Sequence, residues 1–62
     1  MDRQKYIMLK ATMPNRMEIT LGNIKDEFDV DGDEALEMMN NLAMEGMVEV
    51  LPYDGTHFRV IK

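Results

Sequence analysis

The segment from residue 48 to residue 60 constrains the fold most, because its turn residues and its side-chain pairing predict the same β-hairpin. Within it, Tyr53-Asp54-Gly55 suits a three-residue loop with glycine in the left-handed conformation. The resulting register pairs Pro52 with Thr56, Val50 with Phe58, Glu49 with Arg59 and Val48 with Val60. Apolar residues then lie opposite apolar residues, and an acid lies opposite a base.

The N-terminal segment predicts a helix that begins after Asp2 and runs to about Thr12. Asp2 is a favourable N-cap because its carboxylate can accept hydrogen bonds from the exposed amides of the first turn. The apolar face has helical spacing and consists of Tyr6, Ile7, Leu9, Ala11 and Met13. Pro14 disfavours the α conformation at Met13, so we expect the helix to end there.

A short strand and a second helix are predicted next. The strand covers residues 17–20, and the hydroxyl of Thr20 can then cap a helix over residues 21–28. Leu21, Ile24 and Phe28 share one face of that helix.

The third helix is predicted to begin at Asp31, which forms a capping-box pattern with Glu34. Gly46 ends it as a left-handed cap, with Met47 placed for the apolar contact that often accompanies such a cap. The buried face of this helix is predicted to contain Ala35, Met38, Met39 and Leu42. We therefore expect an α+β fold of three helices and a small antiparallel sheet that ends in the hairpin.

The 62 residues predict a single domain over residues 1–62, and they contain neither cysteine nor serine. A chain this short buries only about 60% of its unfolded surface, and no disulfide or thiolate metal site can compensate for that. Serine and cysteine nucleophiles are excluded, and the single histidine, His57, lies on a predicted hairpin strand. We therefore expect a non-catalytic protein without a cofactor.

The acids between the second and third helices resemble the opening of a calcium-binding loop. Asp29, Asp31 and Asp33 alternate as they do in an EF-hand. Glu34 stands where that loop requires glycine, and Asn40 where it requires a bidentate glutamate. Helix capping and a solvated turn explain these acids better than a metal site.

The chain has no apolar run near the ~20 residues that a membrane span requires. The N-terminal residues are not followed by the apolar region and small-residue cleavage site of a signal peptide. A cytoplasmic location without membrane contact is the expectation.

The order of elements resembles the winged helix-turn-helix family over nearly the whole chain. The resemblance is densest at the capped helix Thr20-Leu21-Gly22-Asn23-Ile24, the turn from Asp29 to Gly32, and the run from Leu42 to Val50, with its Leu-x-x-x-Gly-hydrophobic-hydrophobic junction. In this family, the resemblance implies, the third helix enters the DNA major groove while the hairpin wing contacts the backbone. The resemblance indicates the fold, and function must be argued from the residues on its surface.

The exposed face of the third helix departs from that pattern. At 100° per residue, it carries Asp33, Glu34, Glu37, Asn40, Asn41, Met44 and Glu45. Four carboxylates without a cation should repel a duplex, since affinity for DNA comes largely from neutralised phosphates. Asn40 and Asn41 can each pair with adenine, and Met44 resembles a protein-contact anchor. The plainer interpretation is a solvated helix face with one exposed methionine.

The charge distribution leads to two functional hypotheses. Residues 1–25 have a net charge of +3 and residues 26–62 one of −8, and seven acids without a base lie between Asp26 and Glu37. The first hypothesis is an interaction module that binds a basic protein surface through the third helix and the preceding turn. Such a module can act as a regulator, or as a DNA mimic of the type that many phage-encoded inhibitors use.

The second hypothesis is a DNA-binding transcriptional regulator. In that case Arg3, Lys10, Lys25, Arg59 and Lys62 form a basic patch against the backbone. The same bases can instead balance the acidic half within the monomer. A dimerisation domain is a third possibility.

Overall fold

A computed structural model describes residues 1–51 and 55–61 of the chain. In chain order, the elements are α1 (Arg3–Thr12), a 3-10 turn (Met13–Asn15), β1 (Glu18–Thr20), α2 (Leu21–Phe28), α3 (Gly32–Met44), β2 (Val48–Val50) and β3 (His57–Val60). The described residues thus form three α-helices and a three-stranded antiparallel sheet, which confirms the predicted α+β class. This arrangement is compatible with a winged-helix topology.

The sheet has the strand order β1-β3-β2, so the last strand in the sequence lies in the centre. Between β2 and β3 the pairs are Val48–Val60, Glu49–Arg59 and Val50–Phe58, which confirms the predicted register. Gly55 has a φ of 77°, the left-handed conformation predicted for it. The predicted Pro52–Thr56 pair and the remainder of the turn involve residues outside the described ones.

Helix α1 is capped as predicted, whereas the way it ends was predicted wrongly. The Asp2 carboxylate accepts from the amides of Gln4 at 3.0 Å and Lys5 at 3.2 Å. Met13 keeps an α-helical backbone, with φ −58° and ψ −41°, and the chain tightens into the 3-10 turn. Pro14 is tolerated because it lies in the first positions of that turn, whose own hydrogen bonds do not need its N–H.

The cap of α2 is more complete than predicted, and the cap of α3 is less so. Thr20 Oγ1 accepts from the Asn23 amide at 3.1 Å, while Asn23 Oδ1 accepts from the Thr20 amide at 3.0 Å. Asp31 accepts from the Glu34 amide at 2.8 Å. The Glu34 carboxylate, however, accepts from the Asp2 amide at 2.9 Å, so it serves α1 rather than the predicted capping box.

The end of α3 has the predicted left-handed cap. Gly46 has a φ of 77°. Its amide donates to the Ala43 carbonyl at 3.0 Å, and the Met47 amide donates to the Leu42 carbonyl at 2.9 Å. These two hydrogen bonds form a Schellman motif, and Met47 packs against the core as predicted.

One connected hydrophobic core joins the helices to the sheet. It contains Leu9, Met13, Ile19, Ile24, Ala35, Met38, Met39, Leu42, Val48, Phe58 and Val60. All four residues predicted for the buried face of α3 are in it. Two predictions for α1 are wrong, because Ile7 and Ala11 are exposed. The core-facing side of α1 is narrower than predicted and ends at the half-buried Tyr6.

Among the described residues, no helix has the length and apolar character needed to cross a bilayer. The longest, α3, has 13 residues, whereas a membrane span requires ~20. The cytoplasmic location stays a prediction.

Candidate interaction surface on the third helix

The outward side of α3 carries both polar and apolar side chains. Asp33, Glu37, Asn40 and Met44 are exposed as predicted, and the Met44 side chain is 86% exposed. Leu36 lies one turn before Asn40, is 41% exposed, and was not predicted as part of this surface. Its spacing of four from Asn40 and eight from Met44 was the available signal. We call Asp33, Leu36, Glu37, Asn40 and Met44 the outer stripe of α3.

The other predicted residues of α3 lie beside α1 rather than facing outward. Glu34 accepts from the Asp2 amide, as described above, and the Glu45 carboxylate accepts from Lys10 Nζ at 2.7 Å and from the Tyr6 hydroxyl. Asn41 donates its side-chain amide to the Glu37 carbonyl at 2.8 Å. Glu34, Asn41 and Glu45 therefore form an inner edge that is partly occupied by contacts within the chain.

Glu37 lies at the boundary between these two groups. Its carboxylate lies 3.5 Å from the amino group of Met1, and its side chain is still about half exposed. This contact partly neutralises Glu37. Asp33, by contrast, has no ion pair within the described residues.

The contact between α1 and α3 shifts the titration of both partners. Hydrogen bonds from Lys10 and Tyr6 hold the pKa of the Glu45 carboxyl below its usual range. Burial, followed by the hydrogen bond to Glu45 and the charge of that carboxylate, raises the pKa of Tyr6 to about 12. The Lys10 ammonium also lies 5.5 Å from the centre of the Tyr6 ring. Glu45 is thus ionised and committed to α1 at neutral pH.

A groove of about 370 Å³ separates α1 from α3. Its lining residues are Met1, Arg3, Tyr6, Ile7, Lys10, Asn41 and Glu45. One wall is basic and partly apolar, and the other is polar and acidic. Two of the bases proposed for nucleic-acid contact, Arg3 and Lys10, are therefore brought together here.

The remaining predicted bases do not join Arg3 and Lys10 in this groove. Lys25 is exposed on α2. Arg59 lies on β3 between Glu18 and Glu49, its cross-strand neighbours, and forms an ion pair with Glu49. Lys62 lies outside the described residues.

The acidic run from Asp26 to Glu37 keeps most of its charge unpaired. Glu27 binds Arg16 through two contacts of 2.5 and 3.2 Å, and this bonding holds the pKa of Glu27 below its usual range. In the described part of the chain, the other six carboxylates of the run have no ion pair with a lysine or arginine side chain. Helix α3 itself contains no lysine or arginine.

Two aspartates at the turn before α3 have structural roles. Asp31 caps α3, and Asp29 ends α2 with a left-handed backbone of φ 53°. The Asp29 carbonyl accepts from Lys5 Nζ at 3.2 Å. Among the described residues, no three acids or histidines come together as a potential metal site.

No family model, curated protein or solved structure matches this chain.

Proposed function

We propose that this protein is a winged-helix interaction module that binds a basic protein surface through the outer stripe of α3. The observation that carries the proposal is that the outer stripe combines Asp33, which has no ion pair in the described residues, with Met44, which is 86% exposed. The acidic run from Asp26 to Glu37 adds negative charge around this stripe. Long-range attraction to a cationic partner follows from the charge. Specific contact requires the side chains of the stripe.

The winged-helix assignment is supported by the order of the elements and of the strands. A capped α2, a short turn and α3 precede a β2–β3 hairpin, and β1 completes the sheet beside β3. In the family that this order resembles, α3 corresponds to the helix that enters the major groove. The outward side of that helix is therefore the first surface to consider for a partner.

The charge of α3 argues against DNA as its partner. Lys10 and the Met1 amino group partly neutralise Glu45 and Glu37, but they do so from α1 and the N-terminus, beside the groove. The Met1 amino group contacts the outer stripe only at Glu37, and the stripe itself contains no lysine or arginine. Asp33 would approach the phosphates without a counter-charge, whereas DNA affinity depends on cations that replace condensed counterions.

Met44 gives the proposed interface its apolar contact. A flexible thioether adapts to pockets of different shapes, and an apolar centre ringed by polar groups is typical of energetically important contacts. The partner is thus expected to offer a shallow apolar pocket with lysine or arginine at its rim. A protein that normally binds nucleic acid offers the lysines and arginines of such a surface, and this chain would then act as a nucleic-acid mimic.

The proposal can be tested with two variants of equal charge change. Asp33→Lys reverses a carboxylate of the outer stripe, and Asp26→Lys reverses one on α2; both side chains are exposed and lack an ion pair in the described residues. Proteins captured from the native host by the wild-type chain are identified and purified, and their affinities are measured by calorimetry. Asp33→Lys should weaken binding at least tenfold, and Asp26→Lys much less.

Three further measurements separate the alternatives. Equal loss in both variants would show that binding follows net charge and would reject the outer stripe. Competition between the captured protein's nucleic acid and this chain is expected for a mimic. A gel shift of a duplex at low salt that disappears in Arg3→Glu would instead support DNA binding through α1.

A further inference from the structure

Helix α1 has a second apolar face that points away from the core. Gln4, Ile7, Met8 and Ala11 follow one another at i, i+3, i+4 and i+7, so they share one side of the helix. The side chains of Ile7 and Met8 are 61% and 58% exposed, while Leu9 on the opposite side is fully buried. We call these four residues the outer face of α1. Two adjacent apolar side chains exposed on one side of a helix favour a contact surface over isolated exposure.

The outer face of α1 and the outer stripe of α3 lie on either side of the same groove. Ile7 and Arg3 line one wall, and Asn41 of α3 and its C-cap Glu45 line the other. On each helix, the exposed residues continue from the groove wall toward the side that faces solvent. Both surfaces therefore lie on helices that border the same groove.

The two helices that carry these surfaces have opposite charge, and both surfaces carry exposed apolar side chains. Helix α1 contains Arg3, Lys5 and Lys10 and no acid, and Arg3 has no ion pair within the described residues. Helix α3 contains acids and no base, with Leu36 and Met44 exposed. The charges of the two helices are therefore complementary.

The small area of one helix side favours an interface that uses both the outer face of α1 and the outer stripe of α3. Helix α1 has 10 residues, so it is about 15 Å long, and its outer side alone covers on the order of 150 Å². A standard interface buries about 800 Å² of each partner. Made twice and extended across the groove, the contact buries more than one helix side alone but less than a standard interface, as is typical of weak or transient complexes.

We propose that a second copy of this chain covers the outer face of α1 and the outer stripe of α3. The outer face of α1 in one copy packs on the outer stripe of α3 in the other, and the two-fold symmetry repeats the contact. The limited area makes the dimer weak, with a dissociation constant on the order of 100 μM. The dimer does not depend on the proposed basic partner, but it uses the same outer stripe, so the two compete.

Met8 provides the test, because it lies on the outer face of α1 and is not part of the core. Met8→Glu places a carboxylate against the acidic stripe of the second copy, whereas Met8→Lys places a cation there. Sedimentation equilibrium should show a concentration-dependent dimer for the wild type. Met8→Glu should weaken it at least tenfold, and Met8→Lys should keep or strengthen it.

A charge exchange tests which surface Met8 meets. Asp33→Lys alone should weaken the dimer, and the double variant Met8→Glu with Asp33→Lys should restore it relative to either single variant. Equal loss with Met8→Glu and Met8→Lys would instead indicate that two α1 helices pack on each other, and it would overturn the proposal. A wild-type chain that stays strictly monomeric up to about 1 mM, ten times that dissociation constant, would overturn it as well.

The same variants keep this proposal apart from the proposed function. Met8→Glu leaves the outer stripe of α3 intact, so its affinity for a captured basic protein should equal or exceed that of the wild type. Loss of that affinity in Met8→Glu would show that the partner binds the dimer, which contradicts the competition proposed here. Circular dichroism of each variant checks that the fold is retained.

Discussion

The ammonium of Lys10 lies 2.7 Å from the carboxylate of Glu45, and this contact ties the basic first helix to the acidic third helix. Both side chains remain about two-fifths exposed. Solvent and dissolved ions can therefore reach the contact, and the Glu45 carboxyl can be titrated in the folded protein. The carboxylates on and next to α3 thus form two groups, one that binds to α1 and its N-terminal cap and one that faces outward.

Replacing Lys10 with methionine should raise the pKa of Glu45. The value should stay below the usual range, because the Tyr6 hydroxyl still donates to the same carboxylate. A carboxyl whose pKa is lowered by folding stabilises the protein above its usual pKa, and this stabilisation is lost as the pH falls through the folded value. The wild type should thus lose stability more steeply in acid than Lys10→Met. NMR titration of the side-chain carboxyl carbon measures the shift.

The matched control for this prediction is Lys25→Met, which removes an exposed lysine without an ion pair in the described residues. It should leave the Glu45 titration unchanged. An equal shift in both variants would indicate a general effect of net charge and would contradict the specific contact.

The raised pKa of Tyr6 predicts a loss of stability in alkali. The folded chain holds the phenolic proton up to a pKa of about 12, above the ordinary value of 10.0, so Tyr6 stabilises the fold below pH 10.0. That stabilisation should disappear as the pH rises through this interval. A Tyr53→Phe background leaves Tyr6 as the only tyrosine, and its ultraviolet titration reports the pKa directly. In Tyr6→Phe, this part of the alkaline dependence should be absent.

Two glycine substitutions should change stability in opposite directions. An alanine at Gly46 meets no atom within 4 Å but must adopt a φ of 77°, so Gly46→Ala should cost about 1–2 kcal/mol through backbone strain. Gly22 lies in the first turn of α2, where an added Cβ makes only an ordinary 3.6 Å contact with Thr20 Oγ1. Gly22→Ala should stabilise by about 0.5 kcal/mol. Urea unfolding of both variants provides the comparison, and a stabilised Gly46→Ala would be inconsistent with the cap.

Replacing Asp29 with asparagine should stabilise the fold by about 0.5–1 kcal/mol. Asparagine tolerates the left-handed conformation well, and the change also removes a negative charge from the C-terminal end of α2. Asp26→Asn removes a charge from the last turn of the same helix without a change in backbone preference. Thermal unfolding should show a clearly larger gain for Asp29→Asn, and equal gains would assign the effect to charge alone.

Two methionines on α3 should respond very differently to truncation. Met38 is fully buried, so Met38→Ala should cost about 2–5 kcal/mol, which can unfold a domain of this size. Met44 is exposed, so Met44→Ala should change stability by less than about 0.5 kcal/mol. Chemical denaturation measures both changes. A large loss in Met44→Ala would show that this side chain serves the fold rather than a partner.

Features set by nearby residues were predicted correctly from the sequence. The hairpin register follows from turn length and strand alternation, and the Gly46 cap follows from the sudden end of helical spacing. The caps at Asp2, Thr20 and Asp31 need only a polar side chain that lies within three residues of the backbone amide from which it accepts. In each case the chemistry acts over a few residues, so spacing alone identifies it.

Features that join distant segments were not predicted. Glu34 has a suitable amide three residues away, yet it binds Asp2, which only the packing of α1 brings near. The width of the core face of α1 likewise depends on how α2 and α3 lie against it, and this leaves Ile7 exposed. Neither the pairing of Lys10 with Glu45 nor the division of α3 into two sides has a signal in residue spacing.

The central place of β3 in the sheet affects how the chain can be made. β1 and β2 each pair with β3, so during synthesis neither can form its sheet hydrogen bonds until residues 57–60 have left the ribosome. Until then the strands of Ile19 and Val48 lack the strand with which they pair, and the nascent helices have no complete sheet to pack on. The chain is thus expected to fold after translation of Val60 rather than helix by helix.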